Sequence, residues 1–376
     1  MTYHFEYISE TLKKIIEPAT CKTHFFESEL QVREFDNAFI APYVSWDLSI
    51  GSVLDSRGNA VKDSECLEWK ENGAYYDIHQ SQKVRKKAIF IGFLLTVFGH
   101  SFTDNLRKLW FTKTNRFNEI VNEGAEVVYT TSWNLPLPET AKEIIKLTGF
   151  DISIAKHITD LSQYEVVYIP DNCYKSSPYG RLYSREYSLL INMIKESLQE
   201  SQQVSPDKIY FTRSKFSGKK EYGEKAIERV FAQMGYTIIA PESYPIWQQI
   251  HFVNNCICFA TTEGSIAHLS LFCKPGTEIV LLNKANYLNF HQVMINEFAN
   301  LNVTYIEAHH SSKVDPEHPW WGPFYLCITK YLERYIGHPI IHVPYWIRFS
   351  YWRYTRNILY RCYNRGRKIL NRVFMK

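Results

Sequence analysis

The chain has 376 residues, 45% of them hydrophobic, with 16 Gly and 15 Pro. That is enough apolar surface for about two packed domains, and it excludes a disordered or collagen-like chain. The net charge of +4 is unevenly placed: nine of the 43 Lys and Arg, and no Asp or Glu, follow Gly337, which leaves 34 cations against 39 acids in the rest. No run reaches the ~18 apolar residues of a spanning helix, so a chain that crosses a membrane as a helix is not expected.

Residues 1 to about 85 read as short strands and loops, with alternation in REFDNAFIAPYVSWDLSI and a turn at Asp55-Ser56-Arg57-Gly58. The opening MTYHFEYISETLKK has no apolar stretch behind a basic start, so the expectation is a chain that is not exported, with free thiols in a reducing cytoplasm. Of the eight cysteines only Cys256 and Cys258 are close. In an apolar run they fall on alternate sides of a strand, which is not a zinc knuckle.

KKAIFIGFL predicts a strand, and HSFTDNLRKLWF after it has helical spacing, with Phe102, Leu106 and Leu109 on one face. EVVYTTS is a strand and PETAKEIIKLTGF a helix; DISIAK and QYEVVYIPD are further strands. SREYSLLINMIKESLQES reads as an amphipathic helix that bridges two halves. Beyond it KIYFTRS, TIIAPE, CICFATT and TEIVLLN alternate as strands with the helices EKAIERVFAQMGY, YPIWQQIHFVNN and SIAHLSLF.

This βαβ rhythm predicts an α/β protein of two Rossmann-like, doubly wound units facing a central cleft, the arrangement called GT-B. The expected partition is 1–195 for the first unit and 196–320 for the second. Residues 321–340 are expected to cross back to the first unit, followed by a basic tail at 341–376. That tail interleaves its cations with Tyr345, Trp346, Tyr351, Trp352 and Tyr360. Such a basic, aromatic, amphipathic helix suits the headgroup layer of an anionic membrane; a helix packed on the body with a solvated basic face is the alternative. Nucleic acid is not expected, because nothing upstream supplies a second basic face.

Neither G-x-G-x-x-G nor G-x-x-x-x-G-K-[ST] occurs, which removes the main support for dinucleotide or P-loop chemistry. A D-x-D tripeptide is also absent, so side-chain cations and backbone N–H groups at helix starts are expected to meet a diphosphate. Three places carry candidate chemistry. The strand exit at Arg213 offers cations that include Lys219 and Lys220, at the edge where an open α/β sheet binds ligands; a solvated loop is the alternative. Thr262-Glu263-Gly264-Ser265 stands between a strand and a helix, where Gly264 admits close approach to the backbone. His100 and Asp104 are spaced i,i+4, which joins an imidazole and a carboxylate on one helix face; a purely structural pair is the alternative.

Together these residues resemble glycosyltransferase family 61, and in particular its bacterial capsule and lipopolysaccharide members. The family's H-x-x-x-D/E ahead of L-x-R-L-W is similar to His100, Asp104, Leu106 and Leu109-Trp110. Its Y-I-S/T-R strand end is similar to Tyr210-Phe211-Thr212-Arg213. A basic pair followed by N-E corresponds to Lys219, Lys220 and Gly223-Glu224, with Gly where the family usually has Asn. Gly235-Tyr236, Pro241-Glu242, Gln248-Gln249-Ile250 and Glu263-Gly264-Ser265 with His268 and Phe272 follow in the family's order, over roughly Ile89 to Ile306.

The resemblance implies an inverting transfer from a nucleotide-sugar donor, held in the second half, to a hydroxyl of a growing glycan or lipid-linked glycan, held in the first. It implies Asp104 as base with His100 beside it. It also implies a donor site of Arg213, Lys219 or Lys220, Glu242, Gln249, Glu263, Gly264 and Ser265. No metal cofactor is expected, and the enzyme would work at the inner face of the cytoplasmic membrane. Competing readings are an epimerase or pyruvyl transferase that uses similar substrates, and a non-catalytic scaffold of polysaccharide assembly held by its tail.

Overall fold

The computed structural model describes the chain except residues 46–50, 65–75, 179, 199–203, 219, 310–319, 321, 341–355, 357–358, 360–361 and 363–376. It contains two larger sheets. The first has the strand order Ser52–Leu54, Phe39–Ala41, Ser162–Pro170, Gln82–Leu94, Glu126–Thr131, Lys156–His157, and Val32–Asp36 also pairs with Ser162–Pro170. From Gln82 onward its pairings are parallel, while the three early strands join antiparallel.

The second sheet is parallel throughout, in the order Thr2–His4, Asn302–Glu307, Glu278–Asn283, Cys258–Thr262, Lys208–Phe211, Thr237–Ile239. Parallel strands covered on both faces are apolar without alternation; Cys258–Thr262 is buried at all five positions. The expected α/β class with parallel sheets is therefore present.

The bridging helix spans Arg185–Glu196. Ser184 caps it by accepting from the Glu186 N–H, and it buries Tyr187, Leu190, Ile191 and Ile194 along one stripe. That stripe joins one continuous core with Ile89, Ile91 and Leu94 of the first sheet and Ile209, Phe211 and Phe259 of the second.

Several expectations need correction. Residues 1–85 hold a helix, Glu10–Thr20, which Ser9 caps and which turns Leu12, Ile16 and Ala19 inward. Thr2–His4 belongs to the second sheet, paired with Asn302–Thr304, so the 1–195 boundary does not hold for it. The helix within 321–340, Lys330–Ile336, does not cross back. Leu332 packs with Tyr210, Ile227 and Phe231 of the second half, and Arg334 donates to the Glu6 carbonyl at 3.0 Å. DISIAK is mostly a short 3-10 turn, Ile152–Ile154, and only its last residue enters a strand, Lys156–His157.

Helical spacing over 98–113 does not yield an α-helix either. Three 3-10 segments, Phe98–Ser101, Asp104–Leu106 and Leu109–Lys113, take its place. The reason is side-chain competition for the backbone. Thr103 Oγ1 donates to the Gly99 carbonyl at 3.2 Å, Arg107 Nε to the Asp104 carbonyl at 2.8 Å and Thr112 Oγ1 to the Leu109 carbonyl at 2.7 Å. The apolar face survives, since Phe102, Leu106 and Leu109 are buried.

Of the basic tail only Arg356, Leu359 and Cys362 are described, each helical and exposed, with Arg356 over the Tyr222 ring at 5.1 Å. The membrane expectation otherwise lies outside the described residues. Among the described residues no helix is long and apolar enough to cross a membrane.

Candidate active site

The turn after Leu94 and the turn after Thr262 leave the carboxyl ends of their strands and touch. A Cβ on Gly99 would lie 2.6 Å from Ser265 Oγ, 2.8 Å from Ser265 Cβ and 3.1 Å from His268 Nδ1. Only a glycine allows this approach, so the two sheets meet by their carboxyl edges where an open α/β sheet gathers ligands.

On the first-sheet side Asp104 is 2% exposed. Its Oδ2 accepts from His100 Nδ1 at 2.6 Å and from Thr103 Oγ1 at 3.1 Å. Its Oδ1 accepts from Arg107 Nη2 at 2.9 Å, and Arg181 Nη1 stands 3.9 Å away. Burial alone would raise this carboxyl, but His100 and Arg181 hold it well below the usual carboxylate range. A carboxylate can only accept, so Nδ1 of His100 carries a proton, and in the neutral imidazole Nε2 is then the acceptor. The imidazole is the exposed member of the pair, with 31% of its side chain accessible against 3% for Asp104.

Two further histidines complete the cluster. The His291 ring lies 5.5 Å from His100 and 5.4 Å from His268, centroid to centroid, and its Nδ1 bonds the Tyr174 hydroxyl at 2.5 Å. Burial, together with the neighbouring His100, lowers His268 to about 4; burial also holds His291 well below its ordinary value. Both rings are therefore neutral near pH 7. Ligand atoms of His100, Asp104 and His291 lie within 4.8 Å of one another, a spacing that could hold a divalent ion. Arg107 and Arg181 already compensate the one carboxylate, so an ion there would add positive charge to a cluster with no second acid among the described residues.

On the second-sheet side the strand exits form a charged row. Arg213 follows Lys208–Phe211; its backbone N–H donates to Glu224 at 3.0 Å and its guanidinium lies over the Phe216 ring at 4.2 Å. Glu224 opens the helix Glu224–Gln233 behind Gly223, whose φ is +94°. Gly and Asn are the residues that enter this left-handed region readily, which accounts for Gly here where the family pattern has Asn. Burial pushes the Glu224 carboxyl up to about 7.

Lys284, at the end of Glu278–Asn283, donates to Glu221 at 2.6 Å, and both are largely enclosed. A Cβ on Gly264 would lie 3.0 Å from Lys284 Nζ. The ammonium thus stands over the Gly264 turn, one residue from the Ser265 that meets Gly99.

The remaining expected donor residues are distributed as follows. Lys220 is exposed beside Glu221, and Lys219 lies outside the described residues. Glu242 is exposed at the exit of Thr237–Ile239, next to the Arg213 exit. Glu263 is enclosed: its carboxylate accepts from Asn283 at 2.8 Å, and burial raises it to about 7. Gln249 is buried and donates to the Tyr244 carbonyl of its own helix start. The segment after Gly264 is a buried 3-10 turn, Ala267–Phe272, and not the opening of an α-helix.

Lys284, Glu221, Arg181 and His291 have no local sequence signal. His268 and Arg107 lie inside the family pattern, but their roles come from contacts across the cleft and with Asp104.

Among curated proteins no relative matches this chain. A family model does match: residues 98–280, from the His100 turn to the strand before Lys284, fit the model described as Glycosyltransferase 61. Residues 98–280, which include His100, Asp104, Arg213, Gly264 and Ser265, therefore match glycosyltransferase family 61.

Proposed function

We propose that the protein is an inverting, GT-B-like glycosyltransferase that moves a sugar from a nucleotide-sugar donor to a hydroxyl of a growing surface glycan of capsule or lipopolysaccharide type. The observation that carries this reading is the contact of Gly99 with Ser265. It brings the turn of the His100–Asp104 pair against the Gly264–Ser265 turn over which Lys284 stands, and we infer that these groups, with Arg213 at a neighbouring strand exit, line one crevice.

His100 acts as the base, which revises the expected assignment to Asp104. The acceptor oxygen attacks the anomeric carbon as its proton passes to His100 Nε2, and the bond from that carbon to the diphosphate breaks. Asp104 fixes the tautomer and stabilises the imidazolium that forms. Arg213 and Lys284, with Lys219 and Lys220 nearby in sequence, take up charge on the departing nucleoside diphosphate. The reaction is proposed to need no metal. The composition of residues 341–376 supports attachment to the inner face of the cytoplasmic membrane, which would bring a lipid-linked acceptor within reach.

The test is a thermal-shift screen of the full chain against nucleoside diphosphates, followed by transfer or hydrolysis assays with the matching nucleotide sugars, with and without EDTA. A ligand at 100 times its Kd stabilises by about 2.7 kcal/mol. Absence of stabilisation by every nucleotide sinks the reading. Activity that is lost on chelation and restored by manganese replaces the metal-free version with one in which His100, Asp104 and His291 hold the ion.

A further inference from the structure

His268 is buried in the turn Ala267–Phe272, and both of its ring nitrogens are engaged. Nδ1 lies 3.5 Å from the Gly99 carbonyl and Nε2 3.1 Å from Asn289 Nδ2. A carbonyl can only accept, so Nδ1 carries the proton. The Asn289 amide is oriented by its own helix, Phe290–Phe298, which it caps. Its Oδ1 accepts from the His291 and Gln292 N–H groups at 3.1 and 3.3 Å. Nδ2 is therefore the atom turned toward His268, and Nε2 accepts from it. Each nitrogen thus has the role that one neutral tautomer allows. Burial, with His100 nearby, favours that neutral form, and a proton on Nε2 would set N–H against N–H.

Asn289 is anchored in turn. Its backbone N–H donates to the Glu263 carboxyl, which also accepts from Asn283 Nδ2 at 2.8 Å. Gln292, fully buried, donates to Ser270 Oγ at 2.9 Å. The turn Ala267–Phe272 is thereby tied to the helix Phe290–Phe298 at two points, His268 and Ser270. A polar chain runs from Glu263 through Asn289 and His268 to Gly99, the residue before His100. The same helix start carries His291, whose ring lies 5.5 Å from that of His100.

We propose that His268 and Asn289 are positioning residues for the transfer, which tie the His100 turn to the start of the helix that carries His291. Neither touches substrate; they set where His100 stands relative to the Gly264–Ser265 turn. Glu263, enclosed and bonded to Asn283 and Asn289, serves as the anchor of the chain. Asn289 lies beyond the residues 98–280 that fit the family model. The positioning role rests on the glycosyltransferase reading, whereas the state of the ring does not.

The test joins long-range 1H–15N NMR of the histidine rings in the full chain with kinetics of Asn289→Ser. The His268 signals are assigned by their loss in His268→Leu. Near pH 7 the wild-type ring should be protonated at Nδ1, with Nε2 as a hydrogen-bonded acceptor. Serine caps helices as well as asparagine does, but it is too short to reach Nε2. Asn289→Ser should therefore keep its melting temperature and its affinity for nucleoside diphosphates. Its kcat should fall by about 10- to 100-fold, the effect of a misplacement up to ~1 Å. A simple cap would leave kcat unmoved. A His268 protonated at Nε2 overturns the proposal, as does an Asn289→Ser protein with wild-type kcat or one whose rate falls only as its folded fraction falls. If the ring state is as expected while no nucleoside diphosphate stabilises the chain, the transferase reading falls and the positioning role with it. If nucleotides stabilise the chain and transfer proceeds, but the ring holds the other tautomer, the proposal falls alone.

Discussion

Replacing Gly99 by alanine puts a methyl group into the contact on which the shared crevice depends. The new Cβ would stand 2.6 Å from Ser265 Oγ and 2.8 Å from Ser265 Cβ. The hydroxyl can rotate away, but the Ser265 Cβ moves only with its backbone, so one of the two turns must shift. Overpacking of this kind costs about 1–3 kcal/mol. Removing glycine's freedom in the unfolded chain returns about 0.4–1 kcal/mol, so a net loss of about 1–2 kcal/mol is expected. A displacement approaching ~1 Å would also move the adjacent His100, and misplacement on that scale lowers rates by about 10²-fold. Denaturant unfolding and steady-state transfer should be measured for Gly99→Ala, Ser265→Gly and the double variant. The double variant should recover most of the stability and rate, with a coupling of about 1 kcal/mol or more. A Gly99→Ala protein as stable and as active as wild type would refute the close contact and the crevice built on it.

Four other perturbations separate the roles of individual residues. His100→Asn should reduce transfer by about 10²-fold or more with little change in melting, since it removes the base. Asp104→Asn should be equally inactive and less stable by about 3–5 kcal/mol, because Arg107 and Arg181 lose their buried counter-charge; near-normal transfer by His100→Asn would remove it as base. Arg213→Ala should keep the fold and weaken nucleoside-diphosphate affinity by about 1.5–3 kcal/mol, the worth of a contact to a charged group; unchanged affinity in a titration takes it out of the donor site. Glu263 has its folded pKa raised to about 7 from a reference of 4.5. The folded state therefore binds more protons than the unfolded state between those values, and the wild type loses stability as pH rises through that window. The melting temperature of Glu263→Gln relative to wild type should climb from pH 5 to pH 8, and a pH-independent difference would show that this carboxyl is not perturbed.

Much of the second half was legible because its signals are local. A strand buried on both faces must be apolar throughout, and an amphipathic helix must repeat its apolar face, so the alternation from Lys208 to Asn283 could be read residue by residue. The same reading put Arg213 and Gly264 at strand exits and brought His100 within reach of Asp104, whichever type of helix formed. The helix Glu10–Thr20 had local signals too, in the Ser9 cap and the spacing of Leu12, Ile16 and Ala19, but Pro18 within it argues against a helix. Over 98–113 periodicity identified the buried face and failed on helix type, since the claims of Thr103, Arg107 and Thr112 on the backbone carry no periodic mark.

What only the tertiary structure decided is convergence. In a parallel sheet each crossover returns the chain to the same edge, so strand exits become neighbours whatever their separation in sequence. Lys284 meets Glu221 across 63 residues, and the Gly99 carbonyl comes within 3.5 Å of His268 across 169. Thr2–His4 is three residues long and takes its meaning from Asn302–Thr304, to which it pairs. The roles within the His100–Asp104 pair were likewise undecidable from spacing. Burial and the two guanidiniums, one of them far along the chain at Arg181, keep Asp104 charged and enclosed and leave His100 as the group that faces the crevice.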